Sequence, residues 1–557
     1  MLLGSSKRTN GTMWLRRSGL LLALPLVQAF ECTESAFQSI LPPDASIISA
    51  TSLTTNSTFH VPASNIAYPT SPTQLQALCA IEVNVTSSPI SAYTFGLFLP
   101  ENWNQRFLAV GNGGFAGGIN WLDMGAGVGY GFAVMSTDTG HNSTSRDGRW
   151  ALNKERLTDW GYRAMHGSVV HAKGIVAAYY GSNATWNYYS GCSTGGRQGL
   201  KEVEAYPEDF DGVLAGAPAW WTSHLQTWTV KMGQYNSPNG SAHHIPSELF
   251  PVIGAEVLKQ CDPQDGLVDS IISDPQGCHF YPEALLCGAN VTNQTAAGCL
   301  TAPQLDTLDK IWGDYVETNQ TFVFPHVELG AEAQWETLLG LGEPNSLGIE
   351  YVRYFLLNDG TWDFHNFDYS IVELADRLQP GGATASNFNI SPFHARGGKL
   401  LHYHGLADAL IATGSSIYFH RKVLETLTPK GIDLDSWYRF FLVPGMQHCL
   451  GTPTDVDAPW YFGGANQAAA LSTSVSGVPG FRDAKHDALL ALMAWTENGT
   501  APDAIIATAW QNETLHDEVL RQRPLCPYPQ HARYLGQGDP NLAQSWKCTS
   551  AYGLTEQ

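Results

Sequence analysis

Charge is scarce in this sequence. Charged residues fill 15% of its 557 positions, with 30 Lys and Arg set against 51 Asp and Glu, whereas an average soluble domain carries roughly 25%. The formal charge of −21 excludes nucleic-acid binding and adhesion to anionic membranes, because phosphate-rich surfaces would repel the chain. A small neutral substrate is not excluded. Beyond residue 29 no stretch reaches the ~18 consecutive apolar residues that a membrane span needs. Internal repeats are missing, which argues against a solenoid, and so is any long low-complexity linker.

The length exceeds one ordinary domain and implies two substructures or one domain with a large insertion. Residues 1–29 read as a signal peptide: Lys7, Arg8, Arg16 and Arg17 form a basic region, Leu20 to Leu26 an apolar one, and Val27-Gln28-Ala29 a small-residue cleavage site. Losing those four positive charges takes the chain from −21 to about −25. Export is also implied by eleven N-x-S/T sequons between Asn56 and Asn512, a density that suits a glycoprotein. The ten cysteines all follow the signal and should pair in an oxidising compartment. Spacing suggests the local pairs 32–79, 261–278, 287–299 and 526–548, which leaves Cys192 with Cys449. The alternative is that Cys192 is an unrelated structural cysteine.

From about residue 90 to 220, short apolar runs (106-RFLAVGNGG-114, 131-GFAVMSTDTGH-141, 185-TWNYYSG-191) alternate with helical stretches at 162–181 and 195–207. That alternation predicts an α/β fold with a mostly parallel sheet covered on both faces. Residues 220–395 lack it, are rich in Trp, Asn and Pro, and read as an inserted lid. The pattern resumes at 398-GKLLHYHG-405 and 438-YRFFLVPG-445. The expected organisation is therefore a first core part at 30–219, the lid at 220–395, and a second core part at 396–557.

Within 186-WNYYSGCSTGGRQGL-200, Ser193 sits at G-x-S-x-G spacing. A serine on a sharp strand-to-helix turn needs small neighbours, and the predicted strand before it and helix after it supply that context. The other reading is a bland turn in a chain with 55 glycines. A serine hydroxyl needs a base, and the base an orienting acid. In this fold class both follow the serine in chain order. Asp408 in 402-HYHGLADALI-411 and His448 in 443-VPGMQHCL-450 each stand just past a predicted strand. Alone, either is commonly a turn former or a structural histidine; their order makes the triple more telling than its parts. If Cys192 and Cys449 are bonded, the histidine loop is fastened to the nucleophile turn. For the oxyanion, the glycine loop 111-GNGGFAGG-118 and the helix start offer the N–H groups of Gly114 (or Gly113) and Thr194.

The segments GCSTGG (191–196), HGLAD (404–408) and GMQHC (445–449) resemble the tannase family of α/β-hydrolases, which includes fungal tannases and feruloyl esterases. STDTGH (136–141) and DGVLAGAPAWWTSHLQTW (211–228) are similar to its feruloyl esterase B branch. The resemblance implies a Ser193–Asp408–His448 triad, a Cys192–Cys449 disulfide and a lid over the acyl pocket. The stretch 261-CDPQDGLVDSII-272 taken by itself favours a solvated acidic turn. The resemblance instead implies structural Ca²⁺ on Asp262, Asp265 and Asp269 side chains with the Leu267 and Ile271 carbonyls. His402, His404 and the pair His243-His244 fall short of the convergent ligands a zinc hydrolase needs.

The function expected is that of a secreted, extracellular serine carboxylesterase acting on hydroxycinnamoyl (feruloyl, p-coumaroyl, caffeoyl) esters of plant cell-wall polysaccharide such as xylan. The alternative is a tannase or another aromatic-acid esterase of the family. In the fungal tannases the residue after the nucleophile is acidic; here it is Thr194, which favours the cinnamates. Trp220, Trp221, Trp228, Tyr351, Tyr354, Phe355 and Trp362 are able to stack on a planar acid, although core packing is the commoner role. An inactive hydrolase fold serving as an adhesion protein would need a broken triad, and nothing in the sequence suggests the peptide cleft of a peptidase.

Overall fold

The computed structural model describes residue 1, residues 30–340 and residues 342–550. All but the first residue of the expected signal peptide lies outside them. Nine strands form one sheet: β1 (Ala45–Leu53), β2 (Leu78–Ser88), β3 (Ser91–Pro100), β4 (Arg106–Val110), β5 (Ala133–Thr137), β6 (Trp186–Cys192), β7 (Gly212–Gly216), β8 (Lys399–Gly405) and β9 (Tyr438–Val443), in the order β1-β2-β3-β5-β4-β6-β7-β8-β9. From β5 to β9 every neighbour is parallel, while β1, β2 and β3 add antiparallel pairs at one edge. The parallel strands are mostly buried, as β4 with Phe107, Leu108, Ala109 and Val110 all inside, because helices cover both faces.

Between β4 and β7 lie the two helices that frame Ser193. Helix α1 (Ala164–Tyr180) buries Met165, Val169, Ala172 and Val176 at three- and four-residue spacing, and Gly181, at φ 70°, ends it in a left-handed cap. Helix α2 (Thr194–Ala205) follows Ser193 directly. Arg197 on α2 is fully buried, lies over the Trp160 ring at 4.3 Å, and donates to the carbonyls of Gly161 (2.6 Å) and Trp160 (3.1 Å). It thereby bolts α2 to the turn that leads into α1.

The chain leaves the sheet after β7 and rejoins it at β8, which pairs with β7 itself. The residues between pack helices α3 (Thr222–Tyr235) and α4 (Phe250–Cys261) around a core of their own, joined from the first part of the chain by Phe115, Trp150 and Trp160. Trp228, Tyr351 and Phe355 belong to that core. After β9 come two short hairpin sheets, Ile505–Trp510 with Val519–Leu525 and Gln530–Tyr534 with Trp546–Ser550. All five expected disulfides are present: 32–79, 192–449, 261–278, 287–299 and 526–548. Among the described residues no helix is long and apolar enough to cross a membrane.

His141, at the end of STDTGH, is buried with its ring stacked on Trp150 at 3.8 Å, Nδ1 on Ser143 Oγ at 2.7 Å and Nε2 on Thr139 Oγ1 at 3.2 Å. Burial pushes its pKa down to about 3. The unfolded chain takes up this proton near ~6.5, so the stability that the neutral ring brings is present above that pH and drains away below it, by up to ~1.4 kcal/mol per pH unit. His141→Gln should lower Tm most at neutral pH, and the gap to the parent should narrow as pH falls from ~6.5 toward ~4. Calorimetric scans across that range check this; a gap independent of pH would refute it.

Candidate active site

Ser193 stands between the last residue of β6 and the first of α2 with φ 63° and ψ −123°, a conformation that costs a non-glycine residue of order 1–3 kcal/mol and is characteristic of functional turns. Neighbouring segments hold it there. Its N–H donates to the Gly216 carbonyl, and its own carbonyl accepts from Arg197 and Ala219, all at 3.0 Å. The glycines explain themselves by space. A Cβ on Gly196 would lie 2.3 Å from the Gly216 oxygen, and one on Gly191 2.7 Å from the Gly195 backbone. Larger residues would push the elbow off the sheet.

Asp408 lies beyond the end of β8 and is fully buried. Its Oδ1 accepts the N–H groups of Leu410 (2.9 Å) and Ile411 (3.0 Å); its Oδ2 accepts from His448 Nδ1 at 2.7 Å and His404 Nε2 at 3.0 Å. Burial alone would raise this carboxyl, but the charge and hydrogen bond of His448, with the bond from His404, outweigh it and hold the group below the usual carboxylate range. Because Nδ1 of His448 is spent on Asp408, Nε2 is left as the ring's basic nitrogen. Next to it, Cys449 adopts φ 64° and bonds Cys192 with the Cα atoms 6.0 Å apart, inside the range a disulfide tolerates.

These groups border one cleft of about 370 Å³, lined by Ser193, Thr194, Gly113, Gly114, His448 and the Cys192–Cys449 pair. Asp408 stands behind His448. Ser193 Oγ has no hydrogen bond among the described residues, and in ligand-free sites such bonds are often long before substrate arrives. Gly113 and Gly114 differ in availability. The Gly113 N–H is taken by Tyr68 Oη at 2.7 Å, whereas the Gly114 N–H, like that of Thr194, has no partner among the described residues. Thr194 Oγ1 donates to the Gly114 carbonyl at 2.8 Å, which locks the glycine loop to the head of α2. Asn112 adds to this, its N–H donating to Gln198 Oε1 at 3.0 Å.

None of the seven aromatics named from the sequence lines the cleft. Trp220, Trp228, Tyr351, Phe355 and Trp362 are buried in core packing, and Trp221 and Tyr354 are packed against it. The rings that compose a core and those that compose a pocket are alike in sequence. Tyr68, Gln226, Thr229 and Asn345 line it instead.

The acidic turn follows α4 and is closed by the Cys261–Cys278 bridge. Asp262 accepts the N–H groups of Asp269 and Ser270, Asp265 those of Leu267 and Ser273, and Asp269 that of Ile271 together with Arg523. His402 and His404, weighed above for metal, are ring partners of Ser416 behind Asp408.

The topology and the serine elbow define an α/β hydrolase. The family model for "Tannase and feruloyl esterase" matches residues 79–334 and 356–549. A probable feruloyl esterase B-1 of Aspergillus oryzae is 33% identical over 528 residues, covering 92% of this chain and 94% of the relative. The crystal structure of feruloyl esterase B from Aspergillus oryzae superposes with a TM-score of 0.84 at 33% identity, over 93% of this chain and 99% of that one. The fold is shared as well by the tannin acyl hydrolase from Aspergillus niger, at 22% identity and a TM-score of 0.70, over 93% and 95% of the two chains. This chain belongs to the tannase and feruloyl esterase family, and it is a carboxylic ester hydrolase.

Sequence reasoning missed Gln334. From within the insertion its Oε1 accepts the N–H of Ala409 (3.2 Å), beside the acid, and that of His448 (3.3 Å). A lone glutamine in a loop-rich segment carries no motif. Gln334→Leu keeps the bulk and removes the acceptor, so both loops loosen; kcat should fall about tenfold with KM within about twofold. Steady-state kinetics on a soluble ester check this, and an unchanged kcat would refute it.

Proposed function

We propose that this protein is an exported serine esterase that releases hydroxycinnamic acids (ferulic, p-coumaric, caffeic) from esters on plant cell-wall polysaccharide. The observation that carries the reading is the covalent tie between Ser193's elbow and the His448 loop, with His448 already bonded to ionised Asp408. Neutral His448 takes the proton of Ser193 as Oγ attacks the ester carbonyl. Asp408 stabilises the imidazolium that forms. The N–H groups of Thr194 and Gly114 receive the oxyanion, and the Gly113 N–H, already engaged by Tyr68, is held in reserve as a positioning contact. His448 returns its proton to the departing alcohol. Water then attacks the acyl-enzyme with His448 again as base. Thr194 beside the nucleophile and the feruloyl esterase names of the relatives support cinnamates over gallates. Secretion and glycosylation rest on the signal-like segment, the eleven sequons and the five disulfides.

Initial rates on methyl ferulate, methyl caffeate, methyl p-coumarate and methyl gallate, parent beside Ser193→Ala, test this. Cinnamate hydrolysis should fall by at least about 10⁴-fold in the variant. Gallate preference would move the protein to the tannases, and serine-independent turnover would overturn the triad.

We propose in addition that Asp262, Asp265 and Asp269, with the Leu267 and Ile271 carbonyls, hold a structural Ca²⁺. The donors suit it, being hard oxygens on one short turn. Burial, with Asp269 adding, raises Asp265 to about 6, and among the described residues only Asp269 of the three forms an ion pair, with Arg523. A bound cation would neutralise the turn and fasten it beneath the 261–278 bridge. Chelation with EDTA should lower Tm and added Ca²⁺ restore it, while Asp265→Asn should blunt both effects. An unchanged Tm in differential scanning fluorimetry would sink the calcium assignment.

A further inference from the structure

The end of α2 remote from Ser193 carries a second group of ionisable side chains that the ester chemistry does not use. Glu202 lies in the last turn of α2, His166 in the first turn of α1, and Asp209 in the loop entering β7. One ligand atom from each lies within 4.8 Å of the other two, the single such trio among the described residues. Glu202 is 1% exposed and Asp209 8%, while the His166 side chain, at 31%, opens the cluster to solvent. The imidazole is held in place: Nδ1 bonds Asp209 Oδ2 at 2.6 Å, and the ring stacks on Tyr206 at 3.6 Å.

Two details set this cluster apart from an ordinary acidic patch. Glu202 Oε2 is buried and receives no hydrogen bond from any donor among the described residues, its close neighbour being the Asp209 carboxyl. The cations nearby are also turned elsewhere. Lys173 Nζ donates to the Asp209 backbone carbonyl and not to either carboxylate, Arg396 pairs with Asp211 at 2.9 Å, and Arg197 is spent on the carbonyls of Gly161 and Trp160. Burial, with Asp209 alongside, pushes the Glu202 carboxyl well above its usual range.

We propose that His166, Glu202 and Asp209 form a binding site for a divalent cation of the Zn²⁺ class. One imidazole and two carboxylates are borderline ligands of the kind such ions take, whereas Ca²⁺ and Mg²⁺ select all-oxygen sets. Ligand atoms around a tetrahedral Zn²⁺ sit about 3.3 Å apart, given bonds of ~2.0–2.2 Å, so small rotamer shifts from the present spread suffice. Binding leaves the His166 side open for a water as fourth ligand. The ion stands near the C-terminal end of α2, where the helix dipole favours positive charge. It fastens α1, α2 and the approach to β7 together, about 13 Å along the helix from Ser193 at 1.5 Å per residue. Its part is to brace that helix, not to enter the reaction.

The test uses the full secreted protein, stripped with EDTA and returned to excess Ca²⁺ so that the acidic turn is satisfied throughout. Zn²⁺ is titrated by calorimetry, and Co²⁺ by its visible d–d absorption, which Ca²⁺ sites do not produce. The expected result is one equivalent bound in the parent and in Asp265→Asn. Binding should be lost in Glu202→Gln, which keeps the shape of the protonated acid, and in the more exposed His166→Gln, which keeps the proposal testable if the first variant folds poorly. No binding in the parent, or equal binding in both variants, would overturn the site and leave a proton-sharing carboxyl pair.

Discussion

The bond between Cys192 and Cys449 is the constraint on which the catalytic geometry hangs. It joins the last residue of β6 to the residue after His448, across 257 positions of sequence. On a chain-entropy view such a closure is worth roughly 5 kcal/mol at most. Its local effect matters more here. The histidine loop runs through three left-handed residues, Gly445, Cys449 and Gly451, so it has no regular backbone pairing to hold it. A loop of that kind would let the base wander from the nucleophile by an ångström, and misplacement on that scale costs orders of magnitude in rate. The disulfide does for the loop what a strand does for the elbow.

A second constraint comes from behind the acid. His404 Nε2 lies 3.0 Å from both Asp408 Oδ2 and the Ile411 carbonyl, two acceptors, so that nitrogen carries the hydrogen. Its Nδ1 then accepts from Ser416 Oγ at 2.7 Å, Ser416 accepts from His402 Nε2 at 2.9 Å, and His402 Nδ1 accepts from Tyr438 Oη at 2.8 Å. One tautomer at each ring satisfies the whole chain. Burial lowers His402 far below the ordinary imidazole range, so that ring is neutral and supplies an oriented dipole. Asp408 is left as an anion whose only flexible partner is His448, the arrangement a triad needs.

Much of this was legible in the sequence, and what was not has physical causes. Strands β4, β5, β6, β8 and β9 and helices α1 and α2 were readable because buried parallel strands run mostly apolar and helices carry a periodic face. The antiparallel edge, β1 to β3, and the short strand β7 escaped: Ala45–Leu53 is half exposed and polar, and Gly212–Gly216 is five residues bounded by glycines, with no run to catch the eye. The Ser, Asp and His positions follow from strand ends and glycine turns, and the five cysteine pairs from spacing. Distances were beyond reach. His402 and His404 were weighed as metal ligands because alternation along β8 puts them on one face; only the fold shows that Ser416 and Asp408 lie between and beyond them. The Trp, Tyr and Phe rings of the insertion, for which core packing was the commoner role, do pack into cores, Trp228, Tyr351, Phe355 and Trp362 in the insertion's own and Trp220 in the sheet's, and Tyr68, from an irregular stretch before β2, is the aromatic that reaches the cleft.

Gln334 alters what the insertion is. A covering domain that only shielded the cleft would touch the cleft's rim. This one reaches past the rim and supplies a single oxygen to two backbone N–H groups, one beside Asp408 and one on His448. Those bonds, at 3.2 and 3.3 Å, are already at the long end of the N–H···O range. Displacing the insertion outward by even half an ångström therefore breaks them, and both triad loops lose their shared anchor together. The segment that lines the cleft thus also carries, in Gln334, the anchor of both loops.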